Sequence, residues 1–486
     1  MPVARSLAVD REVVKRFTGL ASDSRQVKPG YLFAAIAGTK SDGAQFVADA
    51  VARGAVAVLG HPTLTEAVAA AGVAFIPADN PRLALARYAA AFYGAQPKVI
   101  AAVTGTNGKT SIAVFLREIW THLGKAAASM GTIGVVTPDR SIKLDNTTPG
   151  PIEVQSILAE LNAEGIDHLA LEASSHGLDQ YRLDGVDIAA VAVTNITRDH
   201  LDYHPSFEAY IQAKLRLFRD LARDGAAAVI NADADYADRF IAAAAERGLR
   251  LFTVGEHGGG LKLVTRQPTP EGQILEIAFG GKSYTVVLPL AGAFQASNAL
   301  VAAGLAIGLG EDPAAVFEAL AHLKGAPGRL EKVAIAASGA PIFVDYAHTP
   351  DALDTVLLAL RPHTMRKLSV VFGCGGDRDK GKRPLMGASA LRLADRIIVT
   401  DDNPRSEVPR EIRSQILAAC PGASEIADRA LAIHTGISEL SYGDVLVIAG
   451  KGHESGQIVG ATIHPFNDRE EAIKAAIALG GREYLP

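Results

Sequence analysis

Short apolar runs separated by polar or glycine-containing turns recur along the whole chain, and what lies between them changes from region to region. In the first hundred residues the runs Tyr31–Ala37, Ala55–Leu59 and Val73–Ile76 alternate with polar turns and close at Gly94-Ala95-Gln96-Pro97. A glycine-proline segment just ahead of a new apolar run marks a domain boundary, placed at 97/98. From Lys98 onward the apolar runs Val99–Val103, His168–Leu171, Ile188–Thr194 and Ala226–Asn231 predict buried strands. Ser111–Trp120, Ile152–Ala163 and Phe207–Leu221 carry helical spacing between them. Strands that alternate with helices predict a mainly parallel sheet with helices on both faces. Leu263–Leu290 differs, because period-two alternation through Gln273–Ile277 and Ser283–Val287 predicts an antiparallel addition ahead of a helix over Asn298–Leu309.

A second boundary falls at Gly325-Ala326-Pro327-Gly328. Beyond it the expected strands Ile342–Asp345, Leu368–Phe372, Arg396–Thr400 and Val445–Ala449 each run into polar, glycine-rich sequence. Such residues at the carboxyl ends of parallel strands are where open α/β sheets bind ligands. The expected architecture is therefore α/β in three domains. A small N-terminal α/β domain spans 1–97, a central P-loop-type domain 98–330, and a Rossmann-like C-terminal domain 331–486.

Composition narrows the partners. Forty-eight basic against fifty-three acidic side chains leave a net charge of −5 over 486 residues, so no bulk attraction to nucleic acid is expected. Cys374 and Cys420 are too few for a disulfide framework or a thiolate zinc site. The opening residues carry Arg5, Asp10, Arg11, Glu12, Lys15 and Arg16 without the apolar core of a signal peptide, and a cytoplasmic location is expected. Tyr284–Gly310 is uncharged, but Pro289, Gly292, Gln295, Ser297 and Asn298 interrupt it, which favours a buried strand and helix over a membrane span.

The densest chemistry sits at Gly105-Thr106-Asn107-Gly108-Lys109-Thr110, directly after one predicted strand and before a predicted helix. Inward-pointing backbone N–H groups, a helix N-terminus, one ammonium and one hydroxyl are what a triphosphate with Mg²⁺ requires. The full G-x-x-x-x-G-K-[ST] pattern would place its first glycine at Val103, so the match is partial. Glu172 closes one neighbouring strand, and Asn195 with His200 follows another, which brings a carboxylate and an imidazole to the same sheet edge. Lys214 falls within the apolar stripe Phe207, Ile211, Leu215 and Phe218. Its position fits either a snorkelling lysine with a wet head or a desolvated amine with a lowered pKa. The charge run Asp377–Arg383 reads either as a solvated loop or as part of a pocket for a zwitterion. In the second case Arg would fork onto a carboxylate while Asp402 or Glu454 received an ammonium.

Taken together, these stretches resemble the Mur ligases. The resemblance is carried by Thr104–Thr110, Asn146-Thr147-Thr148-Pro149, Leu171–His176, Asp199–His204, Gly328–Glu331, Asp345–His348, Asp402-Asn403-Pro404-Arg405 and Gly450–Glu454, in family order over nearly the whole chain. It implies an ATP-dependent amide ligase of peptidoglycan synthesis, a monomer with Mg²⁺ as cofactor. Its substrates would be ATP, UDP-N-acetylmuramoyl-L-Ala-D-Glu and meso-diaminopimelate. Carried onto this sequence, the resemblance implies that Gly105, Thr106, Asn107, Gly108, Lys109 and Thr110 hold ATP, approached by Asn298, Arg329 and Asp345. Glu172 and His200 would join Thr110 at the metal. Lys214 would be an N6-carboxylysine whose carbamate organises a second Mg²⁺. Ser24, Thr39, Lys40 and Ser41 would lie at the uridine, and Asn146, Thr147, Thr148, Ser174, Gln180 and Arg182 at the muramoyl peptide. Arg378, Asp402, Asn403, Pro404, Arg405, Gly450 and Glu454 would form the diaminopimelate pocket. Gln295 departs from the family's usual Asn or His. The competing readings are a sister ligase that uses L-lysine and a P-loop kinase or ATPase.

Overall fold

The structure, a computed structural model, describes Val9, residues 11–38 and residues 42–485. The chain divides into two compact units. One contains the residues up to Thr253 with Gly304–Glu311, the other Val254–Ala303 with the residues from Asp312 on.

The first unit opens with a parallel sheet in sequence order, Gly19–Ala21, Tyr31–Ala35, Ala55–Gly60 and Ala74–Pro77. Alternate residues of one strand face opposite sides. Leu32 and Ala34 join a cluster with Leu59, Leu85 and Ala89, while Phe33 and Ala35 join one with Val47, Val58 and Val68. Burial on both faces is why these strands read as continuous apolar runs.

The main sheet of the same unit orders Ala222–Asn231, Ile188–Val193, Val99–Thr104, His168–Glu172 and Ala127–Gly131 as parallel neighbours. Two short antiparallel strands, Gly134–Val136 and Ser141–Ile142, extend its edge. The expected helix Phe207–Leu221 forms as an α-helix over Phe207–Arg216, and a π-helical turn follows over Leu217–Leu221. The wider turn keeps two consecutive apolar side chains, Leu217 and Phe218, on the core.

In the second unit Leu261–Thr269, Gly272–Phe279 and Lys282–Leu288 form the expected antiparallel ladder. The C-terminal sheet orders Ser424–Glu425, Arg396–Val399, Leu368–Phe372, Val445–Ala449, Pro341–Asp345, Glu331–Ile335 and Arg482–Glu483. Its first five strands are parallel, and the last two add antiparallel. A hairpin of Gly456–Val459 and Thr462–Pro465, not anticipated from the sequence, follows the Val445–Ala449 strand. Among the described residues no helix is long and apolar enough to cross a membrane.

Candidate active site

The strand Val99–Thr104 delivers the chain into a loop that the helix Lys109–His122 closes, with Gly108 in the left-handed conformation at its N-cap. Gly105 is required by space as well as by φ (+143°): a Cβ there would lie 1.8 Å from Thr194 Oγ1. The loop is laced to the next strand end. Asn107 N donates to Asn195 Oδ1 (3.0 Å), Thr106 N to Asn195 O (2.8 Å), and Thr194 Oγ1 to Asn107 O (2.6 Å). Such lacing uses the Thr106 and Asn107 N–H groups and fixes the loop conformation, and with it the entry into the helix N-terminus, before any anion arrives, the condition for a preorganised phosphate cradle.

Lys109 Nζ lies over this loop and donates to Gly105 O (2.9 Å) and Thr106 O (2.7 Å). Thr110 Oγ1 donates to Glu172 Oε2 (3.0 Å), and Glu172 also accepts from Thr132 N (2.8 Å) and Thr132 Oγ1 (3.2 Å). Glu172 is buried at the end of its strand. A hydroxyl and a carboxylate, both hard oxygen donors, beside an ammonium and a glycine loop fit Mg²⁺ with a polyphosphate. Thr132, which the sequence did not single out, holds this carboxylate and also meets Thr147 Oγ1 at 3.0 Å.

Lys214 does not snorkel. Its side chain is 1% exposed, its ammonium donates to Gly105 O at 2.8 Å, and it lies 4.6 Å from the centre of the Tyr210 ring. Burial, reinforced by Lys109, drives its pKa well below the ordinary lysine value, and Asp199 opposes this only partly. The result is an amine biased toward its neutral, nucleophilic form. His200 sits at φ +52° and is 45% exposed, and its Nε2 lies 3.5 Å from Asp199 Oδ2. It packs edge-on to His176, with ring centres 4.9 Å apart. Neither Glu172 nor Lys214 is bonded to it.

Thr148, Ser174, Gln180 and Arg182 form one network: Thr148 Oγ1 donates to Glu172 O (2.8 Å) and accepts from Ser174 N (3.0 Å). Arg182 donates to Thr148 O (2.6 Å) and to Gln180 Oε1 (2.8 Å). Asn146 is exposed on the same loop. Ser24 is buried at the start of a short helical turn, where Asp23 accepts from Arg25 N. Thr39, Lys40 and Ser41 lie outside the described residues.

Asn298, Arg329 and Asp345 belong to the second unit. Asp345 accepts from Leu330 N (2.6 Å) and Ala347 N (2.7 Å). Burial pushes its carboxyl up to about 6, while Arg329 and the two N–H groups pull the other way. The Arg329 guanidinium stacks 4.7 Å from the centre of the Tyr346 ring. Gln295 is occupied internally: it donates to Arg329 O (2.9 Å) and accepts from Asn298 Nδ2 (3.2 Å).

Asn403 ties the expected amino-acid pocket together. Its Nδ2 donates to Glu454 Oε2 (2.9 Å), and its carbonyl O accepts from Arg405 NH1 (3.4 Å) and Gly376 N (2.9 Å). Arg405 NH1 also donates to Gly376 O at 2.8 Å, and the Arg405 backbone sits at φ +51°. The unanticipated hairpin holds that backbone, with Arg405 N donating to Ile458 O (3.0 Å) and Gly460 N to Arg405 O (2.8 Å). Pro404 is buried, and its carbonyl would lie 1.9 Å from a Cβ on Gly376. Asp402 is buried against Gly450, where a Cβ would come within 2.6 Å of Asp402 Oδ2. Arg378 is exposed, bonded through NH1 to Asp377 O. The charge run is not uniformly solvated: Arg383 is fully buried against Glu407. Lys451, which sequence reasoning passed over, is 0% exposed and reaches both Asn403 Oδ1 (3.0 Å) and Glu454 Oε2 (3.2 Å).

The sequence matches the families described as Mur ligase family, catalytic domain (residues 16–93), Mur ligase middle domain (103–306) and Mur ligase, glutamate ligase domain (328–452). It is 57% identical over 465 residues, 95% of each chain, to the UDP-N-acetylmuramoyl-L-alanyl-D-glutamate--2,6-diaminopimelate ligase of Bradyrhizobium diazoefficiens. The chain belongs to the Mur ligase family. This Mur ligase is also similar to a solved structure of a ligase of that same name, at 36% identity and a TM-score of 0.73, covering 96% of this chain and 95% of the other. The MurF ligase of Thermotoga maritima, solved in complex with ADP, shares the fold of the Mur ligase at 18% identity and a TM-score of 0.60, covering 96% of this chain and 97% of that one.

Proposed function

We propose that this Mur ligase joins meso-diaminopimelate to the D-Glu γ-carboxylate of UDP-N-acetylmuramoyl-L-Ala-D-Glu in peptidoglycan synthesis, with ATP converted to ADP and phosphate. A carboxylate resists attack by an amine, so it first takes the γ-phosphoryl group of ATP to become an acyl phosphate and release ADP. The diaminopimelate amine, having lost its proton, then adds to the acyl carbon, and the tetrahedral adduct expels phosphate to leave the amide. The backbone N–H groups at the N-terminus of the Lys109–His122 helix and the Lys109 ammonium bind and orient the phosphates and neutralise charge that builds on the transferred group. Asn298, Arg329 and Asp345 serve the nucleotide.

Thr110 and Glu172, joined by His200, would hold Mg²⁺, which when bound supplies charge neutralisation to the phosphates. Lys214 would carry a carbamate: its neutral amine adds to CO₂ and loses one proton, turning a buried cation into an anion suited to a second Mg²⁺. Ser24, with Thr39, Lys40 and Ser41, serves the uridine. Asn146, Thr147, Thr148, Ser174, Gln180 and Arg182 serve the muramoyl peptide. The domains are 1–97 for that substrate, 98–330 for ATP and 331–486 for the amino acid, in a monomeric cytoplasmic protein.

The observation that carries the choice of amino acid is Asn403 linking a guanidinium, Arg405, to a carboxylate, Glu454. With Arg378, Asp402, Pro404 and Gly450 around them, they suit a substrate with an ammonium and an additional carboxylate. The experiment measures ADP release with each substrate omitted in turn and identifies the product by mass. Release that needs ATP, the UDP-muramoyl dipeptide and meso-diaminopimelate together supports the assignment. Release without an amino acid, or preference for L-lysine, overturns it.

A further inference from the structure

Lys451 is a fully buried cation in the second unit's pocket, and the assignment of the pocket to diaminopimelate gives it no part. Its side chain is 0% exposed. Taking an ammonium out of water is costly unless partners replace the lost hydration. The two side-chain partners are Asn403 Oδ1 at 3.0 Å and Glu454 Oε2 at 3.2 Å.

Those bonds determine more than burial. Asn403 Oδ1 accepts from Lys451 Nζ and from Ile458 N (2.9 Å), while Asn403 Nδ2 donates to Glu454 Oε2 (2.9 Å). A carboxamide has one accepting and one donating end. Turning it over would set its NH₂ against an ammonium and an N–H, so Lys451 and the hairpin leave only one orientation. Glu454 Oε2 then accepts from both Asn403 and Lys451, and the carboxylate, whose side chain is 34% exposed, is held in place by one oxygen.

We propose that Lys451 is a positioning residue for the incoming amino acid: its ammonium fixes which way the Asn403 carboxamide faces and anchors one oxygen of Glu454, leaving the other to receive the substrate's ammonium group. The proposal rests on the assignment of this pocket to diaminopimelate. A lysine that only filled space would be replaceable by methionine, which matches its length without its charge.

The test compares wild type, Lys451→Met, Asn403→Leu and the double variant by steady-state kinetics with each substrate varied, together with Tm. Wild type lacking diaminopimelate-dependent ADP release would sink the reading of the pocket itself. With that dependence present, Lys451→Met is expected to raise KM for diaminopimelate by about 30-fold, or ~2 kcal/mol at 1.4 kcal/mol per decade. The KM values for ATP and the UDP-dipeptide should stay within about twofold, and the double variant within about threefold of the worse single one, because both changes break the same linkage. An unchanged KM for diaminopimelate, equal rises in all three KM values, or additive effects in the double variant overturn the proposal. Lys451→Gln keeps a donor for Asn403 Oδ1 without the charge, and it should raise KM for diaminopimelate by about 3- to 10-fold. A Gln variant with that KM unchanged, or with all three raised alike, overturns the proposal whether or not the Met variant folds.

Discussion

Arg405→Ala is the substitution whose outcome the geometry specifies most fully. NH1 is already committed, at 2.8 Å to Gly376 O and 3.4 Å to Asn403 O. Nε and NH2 have no acceptor among the described residues, so that edge of the guanidinium is the one left to take a carboxylate through two parallel bonds. Such a charge-assisted pair in a half-buried site contributes roughly 2–4 kcal/mol, about 30- to 1000-fold in kcat/KM at 1.4 kcal/mol per decade. Arg405→Ala should lose that factor with meso-diaminopimelate, chiefly through KM. Arg405→Lys should recover little, because an ammonium cannot fork. L-Lysine should remain a poor substrate of the Ala variant, since deleting a cation does not create a site for the lysine ammonium. The backbone supplies a control: at φ +51° a non-glycine residue costs about 1–2 kcal/mol, a cost that Ala keeps and Gly removes. Arg405→Gly should therefore be at least as stable as Arg405→Ala and just as impaired. The assay is kcat/KM for both amino acids in all four proteins, with urea midpoints alongside. An Ala variant within threefold of wild type, or a wild type that prefers lysine, refutes the reasoning.

Lys109→Met should lower ADP release by about a thousandfold or more while Tm moves little, because the bonds of Nζ to the loop carbonyls of Gly105 and Thr106 lie outside the apolar core; activity above a tenth of wild type would contradict the phosphate role. Wild type incubated with ¹³C-bicarbonate should show one carbamate resonance that Lys214→Ala lacks. Since burial depresses the Lys214 pKa, the neutral amine that would carry CO₂ persists to lower pH than that of an ordinary lysine and is lost as pH falls through that lowered value, so the resonance should fade on acidification and return when the pH is raised again. Persistence of the signal in the Ala variant would assign it elsewhere. Gly105→Ala, whose Cβ would meet Thr194 Oγ1 at 1.8 Å, should cost about 2–4 kcal/mol in a urea titration and abolish ATP binding measured by calorimetry; near-normal binding would show that the loop yields.

Strands buried on both faces were legible because every residue in them is apolar or small, as in Val99–Thr104 and Val445–Ala449. Ala127–Gly131 is equally buried but escaped notice, since Ala-Ala-Ser-Met-Gly carries no β-branched signal. The hairpin at 456–465 was missed for the opposite reason: its residues are half-buried or exposed, and its register depends on bonds to Arg405 and Asn403 far away in sequence. Periodicity placed Lys214 on the apolar stripe but could not decide whether its head was wet, because that depends on the glycine loop more than a hundred positions earlier. Lys451 stood unremarked within the glycine-rich strand end Gly450–Glu454, and Arg383 within a charge run that read either as a solvated loop or as part of a pocket. Their burial arises from partners in the loop between the Arg396–Val399 strand and the helix that begins at Pro409, Asn403 and Glu407.

The Gly105 carbonyl accepts from Lys109 and Lys214 at once, 2.9 Å from one ammonium and 2.8 Å from the other. With two lone pairs, that oxygen is fully subscribed. The proton affinity of Lys214 is therefore tied to whatever occupies Lys109, since each cation disfavours the other. An anion that draws Lys109 outward relieves Lys214, and by linkage the loss of charge at Lys214 alters the grip on that anion by the same factor. With the proposed carbamate at Lys214 and the proposed phosphate at Lys109, nucleotide and carbon dioxide would be thermodynamically coupled ligands, and titrating either at fixed concentration of the other would read the strength of a single glycine junction.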